Sequence, residues 1–102
     1  MRVLLVDDNS LYLEGLRCLL QENGIEVAGT ASDGLDALNK VEMLKPDVIL
    51  MDVEMSGCGG IDATAIIKRD YPWIEIVMLS VSQEDEHLFN AIPAGASGYL
   101  LK

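Results

Sequence analysis

The sequence predicts an α/β fold in which a parallel β-sheet is covered by helices. The run 48–51 is continuously apolar, follows Pro46-Asp47 and ends at Asp52, a pattern typical of a strand buried on both faces. A second apolar run, 3–6, ends in the same way at Asp7 and Asp8. Strand and helix patterns alternate along the chain, which favours strands joined by helical crossovers.

The remaining elements follow from periodicity and from residues that end helices. The predicted strands are 3–6, 26–31, 46–52, 74–79 and 99–101, with 26–31 at an edge. The first helix begins at Asn9 or Ser10 and ends near Asn23, before Gly24. Further helices are predicted from 32–33 to Pro46, over 61–71, and from about 82 to Pro93, where the proline ring ends the helix.

Apolar residues at helical spacing are predicted to face the sheet. They are Leu13, Leu16, Leu19 and Leu20 in the first helix, Leu35, Leu38, Val41 and Leu44 in the second, and Ile61, Ala65 and Ile66 in the third. Cys18, Met51, Trp73, Met78 and Phe89 are interpreted as packing residues, and Cys58 as a loop thiol. His87 has no partners that indicate a metal site, and the glycines at 57–60 lack the spacing of a nucleotide-binding loop.

Composition limits the possible functions. The chain of 102 residues is long enough for one domain, and its formal charge of −10 argues against direct binding of nucleic acid phosphates. A basic partner or a divalent cation suits that charge. No signal peptide, membrane span or paired cysteines are evident, so we expect a cytoplasmic domain with no membrane contact.

Polar residues stand where the predicted strands end: Asp7, Asp8, Asp52, Ser80 and Lys102. In a parallel sheet these ends share one edge, where open α/β sheets bind ligands. Clustered carboxylates repel one another, and Mg²⁺ relieves that repulsion while keeping waters for substrate oxygens. An aspartate beside such a cation can attack phosphorus, with the metal and a lysine neutralising phosphoryl charge. Asp7 and Asp8 alone could equally form a solvated turn and helix cap.

The segments 3–8, 46–52, 79–80 and 95–102 together resemble the receiver domain of bacterial two-component response regulators. The resemblance extends over residues 1–102 and is strongest to the NarL/FixJ-like branch, whose receivers usually precede a LuxR-type helix-turn-helix. It implies a flavodoxin-like (CheY-like) five-stranded sheet of order 2-1-3-4-5 with helices on both faces. It also implies phosphoryl transfer from a histidine kinase and control of transcription through a DNA-binding domain absent from this chain.

The resemblance also implies roles for individual residues. Asp52 matches the phospho-acceptor, and Asp8, Asp52 and the backbone carbonyl of Glu54 match the direct Mg²⁺ ligands. Asp7 matches the acid that holds the metal through water. Lys102 matches the lysine that pairs with a phosphoryl oxygen.

Two further positions match the residues that change conformation on phosphorylation. Ser80 matches the hydroxyl that moves to the phosphoryl group, and Tyr99 the aromatic that changes rotamer with it. The resemblance thus implies a signalling domain that catalyses only its own phosphorylation and dephosphorylation.

Three features depart from the family pattern. Ser56 replaces the usual proline, and Pro93 interrupts a helix that is normally continuous. The chain stops at Lys102, before the fifth helix that normally covers part of one sheet face. We therefore expect a shortened version or fragment of a longer protein, with a homodimer or other self-association covering the exposed apolar surface.

Two other functions stay open on the sequence alone. One is a phosphatase or phosphotransferase that forms an aspartyl-phosphate, although such enzymes carry a second Asp where this chain has Glu54. The other is a receiver-like module that binds partners without phosphorylation.

Overall fold

The computed structural model describes residues 1–52, 60–80 and 98–101. Within these residues the chain forms five strands and three helices. Their bounds are β1 Arg2–Val6, α1 Ser10–Glu22, β2 Glu26–Ala31, α2 Gly34–Leu44, β3 Val48–Asp52, α3 Gly60–Asp70, β4 Glu75–Ser80 and β5 Gly98–Leu101. The predicted elements are confirmed to within one or two residues at their ends, apart from the helix after residue 81, which lies outside the described residues.

The five strands form one sheet of order β2-β1-β3-β4-β5, and every pair is parallel. This confirms the predicted flavodoxin-like order. The register pairs Val6 with Met51, so that β1 and β3 end side by side. Asp52, the last residue of β3, pairs with Leu79 of β4.

Side chains of the central strands point alternately to the two sheet faces, and each face has its own core. The larger core lies under α2 and α3 and contains Leu4, Val6, Ile49, Met51, Ile76 and Met78 of the strands. The smaller core lies under α1 and contains Val3, Leu5 and Leu13. Helices cover both faces of the sheet, and this is why the central strands carry apolar residues on both faces.

The helices begin and end at residues that satisfy their terminal backbone groups. Asn9 caps α1 by accepting the backbone N–H groups of Leu11 and Tyr12. Asp33 caps α2 by accepting the N–H of Asp36 at 2.7 Å. The predicted caps are confirmed, and Gly24, with φ +78°, turns the chain after α1 as expected of a glycine.

Several predicted packing residues are instead exposed: Cys18, Leu19, Leu35, Ala65 and Trp73. In the third helix the predictions placed Ile61, Ala65 and Ile66 inward, whereas the buried residues of α3 are Ala63, Thr64 and Ile67. The side chain of Ile61 is not described. Small residues allow closer approach of a helix to a sheet. Helical spacing alone does not show which part of a wide apolar stripe makes contact.

Within the described ranges, none of the helices combines the length and apolar character needed to cross a membrane.

Buried and exposed helix residues should differ in how much stability is lost when their side chains are shortened to alanine. Ile67→Ala removes a fully buried side chain from the larger core, so we expect it to lower the free energy of unfolding by about 2–5 kcal/mol. Leu35→Ala changes an exposed helical residue and should alter that free energy by less than about 0.5 kcal/mol. Urea denaturation of both variants measures the difference, and equal losses would contradict the packing described above.

Candidate functional site

Three carboxylates meet at the carboxyl edge of the sheet. Asp7 and Asp8 follow β1, and Asp52 ends β3. One carboxylate oxygen from each lies within 4.8 Å of the others. The register of β1 and β3 thus brings together acids that are more than forty positions apart in the sequence.

The three acids differ in their access to solvent. Asp7 is 1% exposed and Asp52 is 6% exposed, whereas Asp8 is open to solvent. Asp7 and Asp52 therefore form the buried part of the cluster, and Asp8 forms its solvent-exposed part. Among the described residues, the cluster therefore meets solvent through Asp8.

Backbone hydrogen bonds hold the Asp7 segment in place. The N–H of Asp7 donates to the carbonyl of Ala31 at the end of β2, at 3.1 Å. The Asp7 Oδ1 atom accepts the N–H of Asn9 at 2.9 Å. Because Asn9 also caps α1, one short turn fixes both the buried acid and the start of the helix.

The cluster has the composition of a hard-cation site. Carboxylates this close repel one another, and the repulsion is stronger for the buried pair because solvent screens it less. Oxygen ligands of this kind suit Mg²⁺, which retains several waters. The donor set and its spacing therefore fit a divalent cation bound between the loop after β1 and the end of β3.

The remaining predicted site residues are described only in part. Ser80 is the last residue of β4 and pairs with Leu101, and Tyr99 pairs with Met78. The side chains of Ser80 and Tyr99 are not described. The predictions for Glu54 and Lys102 lie outside the described residues, as do those for Ser56, Cys58, His87, Phe89 and Pro93.

One polar residue near the site was not predicted. Thr64 of α3 is fully buried, and its hydroxyl lies 3.4 Å from the sulfur of Met78 and 3.9 Å from that of Met51. These methionines pair with each other in the sheet, one residue before Asp52 and Leu79. Thr64 therefore packs α3 directly beneath the end of β3. In the sequence, Thr64 lies between Ala63 and the apolar residues 65–67, and this feature could have indicated that it is buried.

A five-stranded parallel sheet of order 2-1-3-4-5 with an acidic cluster at its carboxyl edge defines the CheY-like class of α/β signalling domains. Comparison with known proteins agrees, because a family model described as "Response regulator receiver domain" matches residues 3–102. The chain belongs to the response regulator receiver domain family. Receiver domains of response regulators are signalling domains.

Known relatives support this membership and the NarL/FixJ-like branch. Response regulator GacA of Pseudomonas viridiflava is 44% identical over 102 residues, covering 99% of this chain and 48% of GacA. The signal receiver domain of NarL from Mycobacterium tuberculosis superimposes with a TM-score of 0.89 at 34% identity, covering 98% of this chain and 82% of that one.

A third comparison concerns a solved structure with a phosphate mimic. The isolated receiver domain of RcsB from Salmonella enterica serovar Typhimurium, in the presence of phosphomimetic BeF3⁻, is similar with a TM-score of 0.88 and 27% identity. That alignment covers 100% of this chain and 77% of the RcsB chain. The chain spans about half the length of the curated relatives it matches.

The acidic cluster predicts that removing one charge stabilises the fold when no divalent cation is present. Asp8→Asn keeps the side-chain size at an exposed position and should raise the free energy of unfolding by about 1 kcal/mol, because repulsion with Asp7 and Asp52 is removed. Urea denaturation in EDTA tests this. Glu42→Gln removes an exposed charge on α2 and should have little effect; a loss of stability in Asp8→Asn would contradict the electrostatic account.

Proposed function

We propose that this chain is the phospho-acceptor domain of a two-component response regulator and that Asp52 receives a phosphoryl group from a histidine kinase. One observation carries the proposal: the β1–β3 register holds the Asp52 carboxylate within 4.8 Å of those of Asp7 and Asp8. A carboxylate nucleophile needs nearby positive charge to accept a dianionic group, and this cluster offers a site for a cation.

The proposed cation is Mg²⁺, with Asp8, Asp52 and the backbone carbonyl of Glu54 as direct ligands and Asp7 bound through water. When bound, Mg²⁺ offsets the carboxylate charge and the negative charge on the phosphoryl oxygens. Burial of Asp7 and Asp52 supports these roles, because partly buried acids are less screened and bind a cation more strongly. Asp8 is exposed to solvent, so in this proposal it is the first ligand that an entering ion contacts.

In the proposed reaction an oxygen of the Asp52 carboxylate attacks the phosphorus of the kinase phosphohistidine. The new O–P bond forms as the P–N bond breaks, and the bonding electron pair leaves with the imidazole nitrogen. Lys102 neutralises charge on the transferred group in this scheme. Hydrolysis of the acyl phosphate by water returns Asp52 to a carboxylate, so the domain turns over no free substrate.

The proposed response involves Ser80 and Tyr99. Ser80 ends β4, next to the strand that ends in Asp52, and Tyr99 lies on the neighbouring β5. A phosphoryl group adds nearly two negative charges, which favours a conformation in which a hydroxyl donates to it. We treat the change as a shift between two existing populations, with Tyr99 occupying the space that Ser80 leaves.

The role of the parent protein is part of the same proposal. Because the relatives are about twice as long, we propose that the receiver regulates an attached LuxR-type DNA-binding domain and thereby transcription. The charge of −10 supports an output through that domain and not through DNA contacts of the receiver itself. A cytoplasmic location, a histidine kinase partner and self-association remain the predictions made from the sequence.

Phosphorylation can be tested with acetyl phosphate and Mg²⁺. We expect intact-mass analysis to show one phosphoryl group per chain, located on Asp52, and none in Asp52→Asn. Asp70→Asn is the matched control, since it changes an exposed aspartate at the end of α3. Continuous release of phosphate at a rate typical of enzymes would instead indicate a phosphatase, and absence of label would indicate a partner-binding module.

Binding of Mg²⁺ gives a separate prediction. Saturating Mg²⁺ should raise the melting temperature by roughly 2–5 °C, because the ion binds only the folded cluster. The shift should be lost in Asp8→Asn and retained in Glu42→Gln, as measured by differential scanning fluorimetry. The same shift in all three proteins would show that Mg²⁺ acts elsewhere.

A further inference from the structure

A cavity of about 320 Å³ lies at the amino edge of the sheet, at the opposite ends of the strands from the acidic cluster. It is formed between the end of α2 and the turn that leads from α3 into β4. Its lining residues are Val41, Glu42 and Lys45 on the first side and Tyr71, Trp73 and Ile74 on the second. A cavity of this volume is at the lower end of the range for small-molecule sites. None of its lining residues takes part in the reaction proposed above.

Two aromatic side chains form one wall of the cavity. The rings of Tyr71 and Trp73 meet edge to face, with their centroids 5.7 Å apart and their planes at 84°. Tyr71 packs against the larger core, whereas Trp73 is 70% exposed. Covering the exposed indole ring with an apolar group of a ligand would therefore remove a large apolar surface from water, which favours binding.

Hydrogen bonds fix the turn that contains Trp73 in its observed shape. The N–H of Ile74 donates to the carbonyl of Tyr71 at 3.0 Å. The ammonium group of Lys68 donates to the carbonyls of Pro72 and Ile74 at 2.9 and 2.7 Å. These bonds hold the backbone on both sides of Trp73, so a ligand that contacts the ring loses little affinity to ordering of the turn.

Two opposite charges line the same cavity and do not pair with each other. Glu42 and Lys45 are three positions apart at the end of α2, a spacing at which such side chains commonly form an ion pair. Among the residues that the structure describes, neither side chain has a hydrogen-bond or ion-pair partner. On the same helix Asp36 and Lys40 do pair, at 3.3 Å. The cavity therefore offers one unpaired carboxylate and one unpaired ammonium group.

The backbone conformation of Lys45 explains why the two charges stay apart. Lys45 has φ 50° and ψ 60°, and within residues 1–52, 60–80 and 98–101 it is the one non-glycine residue with a positive φ. Its side chain therefore leaves the chain in a direction different from that of a helical residue, and no ion pair with Glu42 forms. Glycine is the residue favoured in this conformation at a helix end, so a lysine here lowers stability. Strained residues of this kind are concentrated at ligand sites.

We propose that this cavity binds a free α-amino acid with an aromatic or large aliphatic side chain. In the proposed complex the ligand's side chain lies against Trp73 and Ile74, its ammonium group faces Glu42 and its carboxylate faces Lys45. Such a ligand joins one positive charge, one negative charge and one apolar group, and each has a counterpart in the lining. A cation alone would be repelled by Lys45, and an anion alone by Glu42.

The same charges distinguish a free amino acid from a segment of a partner protein. A residue within a peptide chain has no ammonium group and carboxylate on the same Cα atom, so it leaves Glu42 and Lys45 without partners. The free ligand is small, and we expect a Kd on the order of 1 mM.

Binding can be followed through Trp73, because it is the chain's one tryptophan. L-Phenylalanine should change its fluorescence and the NMR signal of its indole N–H in a saturable way. The analogues 2-phenylethylamine and 3-phenylpropanoate each lack one charge, and glycine lacks the side chain. Each should bind at least about threefold more weakly than L-phenylalanine. Equal binding of the amine or the acid would overturn the proposal, as would no saturable change up to about 20 mM L-phenylalanine.

Lys45→Gly separates a loss of binding from a loss of stability. The variant should raise the urea midpoint, because glycine is favoured at φ 50°. It should also remove the preference for L-phenylalanine over 2-phenylethylamine, because the partner of the ligand's carboxylate is gone. A more stable variant that keeps this preference overturns the proposal.

Glu42→Gln should instead remove the preference for L-phenylalanine over 3-phenylpropanoate. Glu22→Gln is the matched control, since Glu22 is an exposed acid on α1, on the other face of the sheet. An equal effect of the two substitutions would overturn the proposal. None of these measurements needs Mg²⁺ or phosphorylation of Asp52, so failure of either proposal leaves the other testable.

Discussion

The parallel pairing of β1 with β3 is the constraint on which the rest of the structure depends. It places Asp7, Asp8 and Asp52 at one edge, although like charges favour separation. Burial of the apolar side chains of both strands opposes that repulsion. The central hydrophobic core therefore holds the three carboxylates together against their mutual repulsion.

The turn after β1 connects this cluster with the helix that follows. Asn9 donates its N–H to Asp7 and caps α1 with its side chain, so the turn that holds the buried acid also forms the start of that helix.

Much of the fold was predictable because it depends on local patterns. The apolar runs, the caps Asn9 and Asp33 and the stop at Gly24 each follow from residues that are adjacent in sequence. The predictions were wrong where burial depends on how a helix sits against the sheet. Leu35 and Leu19 fit helical spacing yet are exposed, while α3 packs through Ala63 and Thr64, which hydrophobicity alone does not distinguish.

By itself, the sequence determined the elements, their order and the placement of each acid at a strand end, since these properties depend on neighbouring residues. The tertiary structure decided how close the acids come, which of them are buried, and which helical leucines stay exposed. Such facts depend on strand register and on the approach of a helix to the sheet. Both are set by contacts between distant residues, which no local pattern specifies.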